Sequence, residues 1–344
     1  MKIAHVTTFG PNGCGLYEAS RNMMKADYLN GNEVFCVDTG IKPDNTYQEP
    51  QVGVIDNRGG WEIKTSHHSI LDKVDLIIMH TYCKENWYCR NEVPMLWVIH
   101  GRPAAAFRQE LREPKYLAYS AYGNISFWPR VKKVIHFWPE YKVYYDVVCK
   151  EGKQAIIDYP AIDTQRFSAI GKKFDLSLGG EKKNYIGEIN GLICDPRRDD
   201  IDRFDVMVGA LYAAKNIKGL KWHFFGLDTP IKEAEQRILS EIEKIGALGV
   251  RIGRVHTMED IYRACDFLYT PHSIITQTVG EAVSCGLKVI AHTGNKLASQ
   301  TVNVYNPKEV VSAIENLDKF ENKKIPSLRE FGEKMNEIYK EVLA

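Results

Sequence analysis

Between Pro271 and Ala291 the chain gathers groups suited to holding an anion: Pro271-His272-Ser273, then Thr276-Gln277-Thr278, then Gly280-Glu281-Ala282, then Cys285-Gly286. An apolar strand, Phe267–Thr270, runs into this stretch, and a second, Lys288–Ala291, follows it. A helix opening at Thr276, Gln277 and Thr278 aims its first unpaired N–H groups and its positive dipole end at the carboxyl edge of the preceding strand, which is where a diphosphate binds. His272, in the loop just before that helix, is placed either to bond the same ligand or to fill the loop. Glu281, a turn further on, is placed to accept hydrogen bonds from a ribose diol. The competing reading is an ordinary αβ unit, with Glu281 a solvated carboxylate and Gly286 a plain helix stop.

A second loop, Phe9-Gly10-Pro11-Asn12-Gly13-Cys14-Gly15, lies between an opening strand and its helix. Its glycines let a backbone approach a phosphate or sugar closely. Asp38, which ends the next strand, raises a dinucleotide-binding alternative. The fingerprint G-x-G-x-x-G fails, because starting it at Gly13 puts Glu18 where the third glycine belongs, and a carboxylate there repels pyrophosphate.

Two apolar strands, 74–80 and 95–100, each end in a histidine, His80 and His100. The eight cysteines show no C-x-x-C spacing, so reduced cysteines that ligate no metal are expected. Asp200-Ile201-Asp202 has D-x-D spacing in a charged loop that opens a helix, where capping is the simpler role.

Composition bounds these readings. At 344 residues the chain exceeds one ordinary core, so two domains are expected. Hydrophobic content of 44% and charged content of 26% are those of a globular protein, and a net charge of +1 gives no global pull toward nucleic acid or anionic lipid. No apolar run approaches a membrane span. A strand at residues 2–6 leaves no room for a signal peptide, which predicts a cytoplasmic protein.

The elements that must position these residues alternate along the chain. Strands are predicted at 3–7, 33–38, 74–80, 95–100, 131–135 and 154–158, with a helix over 16–30. A polar, Gly/Lys-rich segment, 171–184, reads as a linker. A second series has strands near 185–193, 220–225, 250–252, 267–270 and 288–291, and helices at 204–215, 231–245, 258–265 and 278–285. Continuous apolar strands suit parallel sheets covered on both faces. The pattern predicts two doubly wound α/β domains in series with a cleft between them, 1–170 and 185–326, and a long amphipathic helix over 327–343.

The strand followed by Gly280-Glu281-Ala282-Val283-Ser284-Cys285-Gly286 resembles the donor motif of GT-B glycosyltransferases, especially the retaining family-4 type. Further similarities follow in chain order. They are the glycine loop after the first strand, Gly31-Asn32-Glu33-Val34, His100-Gly101, Pro160–Phe167, Phe225-Gly226 and Ile252-Gly253. Each is short, and their collinear order over the whole chain is the signal. The resemblance implies a GT-B fold of two Rossmann-like domains, the last helix (327–344) returning to the first. It implies transfer of a sugar from a nucleotide-diphosphate sugar, UDP-sugars first, with retention and without an obligatory metal or other cofactor. Gly13 and Gly15 would lie against the donor, His100 near the reacting sugar, Thr276, Gln277 and Thr278 at the diphosphate, and Glu281 at the ribose. Two departures stand out. The family's first acid, which touches the transferred sugar eight residues before the second, is replaced here by Ser273. The basic pair that meets the leaving diphosphate is not plain, and Arg197 and Arg198 are the candidates, with a charged loop as the alternative.

Residues 101–153 hold ten Lys/Arg against five acids, with eleven aromatics interleaved. That mixture suits phosphate contact and base stacking, so the acceptor expected first is a hydroxymethylated base in DNA, as for a phage-type DNA-modifying enzyme. A saccharide or lipid-linked glycan is the alternative acceptor, and a core built of those aromatics the alternative structure. An inactive sugar-nucleotide or DNA-binding module is the alternative of another class.

Overall fold

The computed structural model describes residues 1–10, 15–40, 48–80, 92–100, 130–149, 151–177, 188–194, 203–226, 231–253, 255 and 257–344. The chain divides into two compact units, Met1–Asp163 with Pro326–Ala344, and Thr164–Ile325.

In the first unit, β1 (Lys2–Thr7), β2 (Glu33–Asp38), β5 (Leu76–Met79), β6 (Met95–Val98), β7 (Val131–His136) and β8 (Gln154–Ile156) form one six-stranded sheet. Its order is β2-β1-β5-β6-β7-β8 and every pairing is parallel. Two-residue strands β3 (Ile55–Asp56) and β4 (Ile63–Lys64) pair antiparallel beside it. Strands β5 and β6 are buried throughout, the pattern of strands covered on both faces. Helix α1 (Gly15–Leu29) follows β1, and Gly31, at φ +81°, supplies the left-handed residue that stops it. A short helix α2 (Lys142–Val148) lies between β7 and β8.

The second unit repeats the plan. Strands β9 (Ile189–Cys194), β10 (Leu220–Phe225), β11 (Leu248–Ile252), β12 (Phe267–Thr270), β13 (Lys288–His292) and β14 (Gln300–Val302) run parallel in the order β11-β10-β9-β12-β13-β14. Helices α3 (Arg203–Asn216), α4 (Glu233–Lys244), α5 (Met258–Ala264), α6 (Gln277–Ser284) and α7 (Pro307–Glu315) connect them. Trp222, Phe224, Phe267 and Tyr269 form the centre of its core, and the Trp222 indole donates to the Ala210 carbonyl at 2.9 Å, so a large aromatic is buried with its polar atom satisfied. Residues 164–177 belong to this unit, where the Phe174 N–H bonds the Asp260 carbonyl. The remainder of the expected linker, 178–184, lies outside the described residues.

Helix α8 (Leu328–Leu343) belongs to the first unit and packs on α1. Ser327 and Glu330 close a reciprocal capping box at its start. Gly332 permits the approach, since a Cβ there would sit 2.7 Å from the Ala26 carbonyl oxygen.

Candidate functional site

In an open α/β sheet, ligands bind at the carboxyl ends of the strands where the strand order reverses. In the first sheet the reversal falls between β1 and β5, and in the second between β9 and β12. The loops after β1 and after β12 are the two glycine- and threonine-bearing segments singled out above.

After β12, Thr276 caps α6, its hydroxyl accepting from the Val279 N–H at 3.4 Å. Gln277 and Thr278 occupy the first two helical positions, ahead of the intrahelical ladder, so their amides and the dipole end point toward the carboxyl edge. Glu281 is 9% exposed, and the Tyr262 hydroxyl donates to its Oε2 at 3.4 Å. The solvated-carboxylate reading of Glu281 therefore fails. His272 is buried, and Ser273 is half-buried in the same loop. Asn295, from the turn after β13, donates through Nδ2 to the His272 carbonyl at 2.9 Å and to the Ile274 carbonyl at 2.8 Å. This buried amide holds the shape of the loop. Gly286, at φ +80°, ends the motif as the helix stop. Arg197 and Arg198 lie outside the described residues, as do Asp200 and Asp202.

After β1, Gly15 is the first residue of α1 and is exposed, with no heavy atom within 4 Å of where its Cβ would be. Among the described residues nothing outside its own helix and chain neighbours fills its side-chain space. Gly13 lies outside the described residues. Asp38 is buried and accepts from three backbone N–H groups, Phe9 at 2.9 Å, Gly40 at 3.2 Å and Gln51 at 2.8 Å. Its carboxylate fixes the base of the loop rather than facing a ribose, which removes the one acid the dinucleotide alternative needed.

His100 lies two residues past β6, at the same carboxyl edge, and is half-buried. Its Nε2 lies 2.7 Å from His80 Nδ1. His80 Nε2 lies 2.9 Å from His5 Nδ1, and His5 Nε2 lies 2.9 Å from Asp27 Oδ2. The Tyr339 hydroxyl, from α8, donates to the same carboxylate at 2.9 and 3.0 Å. Strand pairing explains the line. His5 pairs with Ile78, two residues before His80, and Met79 pairs with Trp97, which sets His80 level with Val98, two residues before His100. Side chains two apart share a face, so all three rings lie on one face of three adjacent strands and step toward the carboxyl edge. Burial first, and then the neighbouring rings, hold the His80 pKa well below the usual imidazole range, and burial pulls His100 down to about 3. His5, Asp27, Tyr339 and Asn295 were missed by sequence reasoning. A histidine inside an apolar strand and an aspartate on a helix face turned to the core were the signals available.

The basic–aromatic segment divides. Residues 101–129 lie outside the described residues. Of the described aromatics, Phe137, Trp138 and Tyr145 are core, while Tyr144 is exposed. The core alternative therefore holds for those three. Among the described residues no group of three or more acidic, His or Cys side chains is placed to hold a metal ion, and no helix is long and apolar enough to cross a membrane.

No protein-family model matches the sequence, and no curated protein does. Solved structures do match over nearly the full length. Sucrose-phosphate synthase from Thermosynechococcus elongatus is similar at a TM-score of 0.65 and 14% identity, covering 99% of this chain and 98% of that one. Anabaena HepE, in complex with UDP and glucose, is similar at 0.65 and 12%, covering 99% and 100%. An alpha-glucosyltransferase in complex with UDP and a 13-mer DNA containing an HMU base is similar at 0.59 and 13%, covering 93% and 90%. Two doubly wound parallel-sheet units matched from end to end in this way are the GT-B fold.

Proposed function

We propose that this chain is a glycosyltransferase that moves a sugar from a nucleotide-diphosphate sugar, a UDP-sugar first, to an acceptor hydroxyl with retention at the anomeric carbon. The observation that carries the reading is Glu281. It is a buried carboxylate one turn behind a capped helix start, at the carboxyl edge of the second sheet. In this reading the second unit binds the donor and the first unit the acceptor. The amides of Thr276, Gln277 and Thr278 receive the diphosphate, Glu281 the ribose diol, and His272 and Ser273 the sugar end of the donor. Arg197 and Arg198 meet charge that grows on the leaving diphosphate, and fixed dipoles act on the same charge without reorganising. Gly13 and Gly15 let the first unit's backbone come close to a phosphate or sugar bound there, and His100 bonds a ligand hydroxyl. No step requires a cofactor beyond the donor itself.

The acceptor proposed first is a hydroxymethylated base in DNA, flipped out to reach the site. The basic–aromatic segment 101–153 supports it, as does the likeness to a solved glucosyltransferase–DNA complex. The core positions of Phe137, Trp138 and Tyr145 leave fewer aromatics for stacking and favour a saccharide as the second choice.

The test is thermal stabilisation by UDP-, GDP- and ADP-sugars and by NAD, followed by titration of the Glu281→Ala variant. One nucleotide sugar, not NAD, is expected to stabilise the protein, and the variant to bind it at least about tenfold more weakly, roughly 1.4 kcal/mol. Stabilisation by NAD alone, or full donor affinity in the variant, would overturn the reading. Donor hydrolysis without acceptor separates an active enzyme from an inactive binding module, and labelled-sugar transfer to hydroxymethylated DNA against oligosaccharides decides the acceptor.

A further inference from the structure

The line Tyr339–Asp27–His5–His80–His100 is more than a way to bury polar groups. An ionised carboxylate only accepts hydrogen bonds, and a neutral imidazole has one N–H and one lone pair. Asp27 Oδ2 faces His5 Nε2 at 2.9 Å, so with Asp27 ionised and His5 neutral the His5 proton sits on Nε2 and Nδ1 presents a lone pair. His80 Nε2, 2.9 Å away, must then be the donor, and His80 Nδ1 is left bare. His100 Nε2, 2.7 Å from that atom, must donate in turn. The His5 and His80 ring planes are 12° apart, which suits an N–H···N bond in the ring plane. Each ring settles the next, and the sequence ends with a lone pair on His100 Nδ1, which has no partner among the described residues. The Tyr339 hydroxyl, 3.0 and 2.9 Å from the two carboxylate oxygens, gives its one hydrogen to Asp27 as well.

We propose that Asp27, acting through His5 and His80, is a positioning residue that fixes His100 as the Nε2–H tautomer, so that its Nδ1 accepts a hydrogen bond from a hydroxyl of the ligand at the carboxyl edge of the first sheet. The ligand chemistry this selects is a donor: a sugar or acceptor hydroxyl is bound, and a phosphate oxygen or carboxylate, which has no hydrogen to give, is turned away. Burial that keeps His80 and His100 neutral is what allows one tautomer to propagate, because an imidazolium would offer N–H groups on both sides. The identity of the hydroxyl rests on the glycosyltransferase reading above, while the tautomer does not.

The experiment is long-range proton–nitrogen correlation NMR on the full chain labelled with ¹⁵N-histidine, at pH 7. Expected are Nε2–H signatures for His5, His80 and His100 with no second tautomer. An Nδ1–H or imidazolium form of His100 would overturn the proposal. In Asp27→Asn the amide can keep its oxygen on Tyr339 and turn its N–H₂ to His5, which reverses the direction of every bond. An Nδ1–H population at His100 is therefore expected, and an unchanged His100 would show that Asp27 does not set it. Both readouts are independent of catalysis, so an absence of sugar transfer would refute the function without touching this inference.

Discussion

Replacing Gly15 by Ala separates binding from folding in a single substitution. Gly15 opens α1 with no heavy atom within 4 Å of the new methyl, and its backbone does not occupy the left-handed region. The folded protein therefore meets no clash, while the unfolded chain loses freedom. Glycine to alanine at a compatible helical position stabilises by roughly 0.4–1 kcal/mol. For a unit of this size that raises the thermal midpoint by up to about 2–4 °C. If a donor's phosphate or sugar comes within van der Waals contact of this backbone, the methyl displaces it by about 1 Å, which costs up to about 100-fold in rate. The expected result is a higher melting temperature together with a 10- to 100-fold lower kcat/KM, about 1.4–2.7 kcal/mol of transition-state stabilisation. Thermal unfolding and initial rates of donor turnover measure the two sides. Raised stability with kcat/KM within twofold of wild type would mean that nothing approaches Gly15 and that the loop reading is wrong. Lowered stability would refute the open space around the residue.

Two further substitutions probe the second unit. Asn295→Ala leaves two buried carbonyls without their donor, and about 1–3 kcal/mol of stability should be lost with each unsatisfied group. Donor affinity should fall as the 272–274 loop loosens, and calorimetry showing unchanged affinity would place that loop outside the site. His223, bonded to Asn190 and to the Val250 N–H, is held by burial at about 4. Its unfolded value is near 6.5, so between pH 6.5 and 4 the unfolded chain binds the extra proton and stability falls as the pH falls, by on the order of 3 kcal/mol at pH 4. Urea midpoints across that range should fall less steeply in His223→Gln, and parallel curves would sink the assignment.

Much of the fold was legible because its strands are continuous apolar runs and its helices keep their period. Helix α6, its Thr276 cap and Gly286 lie where the spacing puts them, within a residue. The elements not anticipated are short or local: two-residue β3 and β4, three-residue β14, α2, and α7, which opens on Pro307. The candidate groups were legible only where they are close in sequence. His100 is found by its place at a strand end, but its partners His80, His5, Asp27 and Tyr339 are brought together from four elements, and the Tyr339–Asp27 bond spans 312 positions. No spacing encodes such a line. Composition misled at Phe137, Trp138 and Tyr145, because aromatics beside lysines read alike whether they face a ligand or fill a core.

Helix α8 has a consequence for the order in which the molecule is made. The first unit is built from 1–163 and 326–344, so the ribosome releases all of the second unit before the first can close. Until α8 emerges, the face of α1 that carries Asp27 is uncovered, and that carboxylate lacks the tyrosine that shares it with His5. Joining segments so far apart carries the loop-closure cost of a long-range contact, which slows the step. The second unit is thus free to finish as a local folding event while the first waits half-assembled, exposed to chaperones and proteases for the time needed to translate some 160 residues, about 8–30 s at ordinary elongation rates.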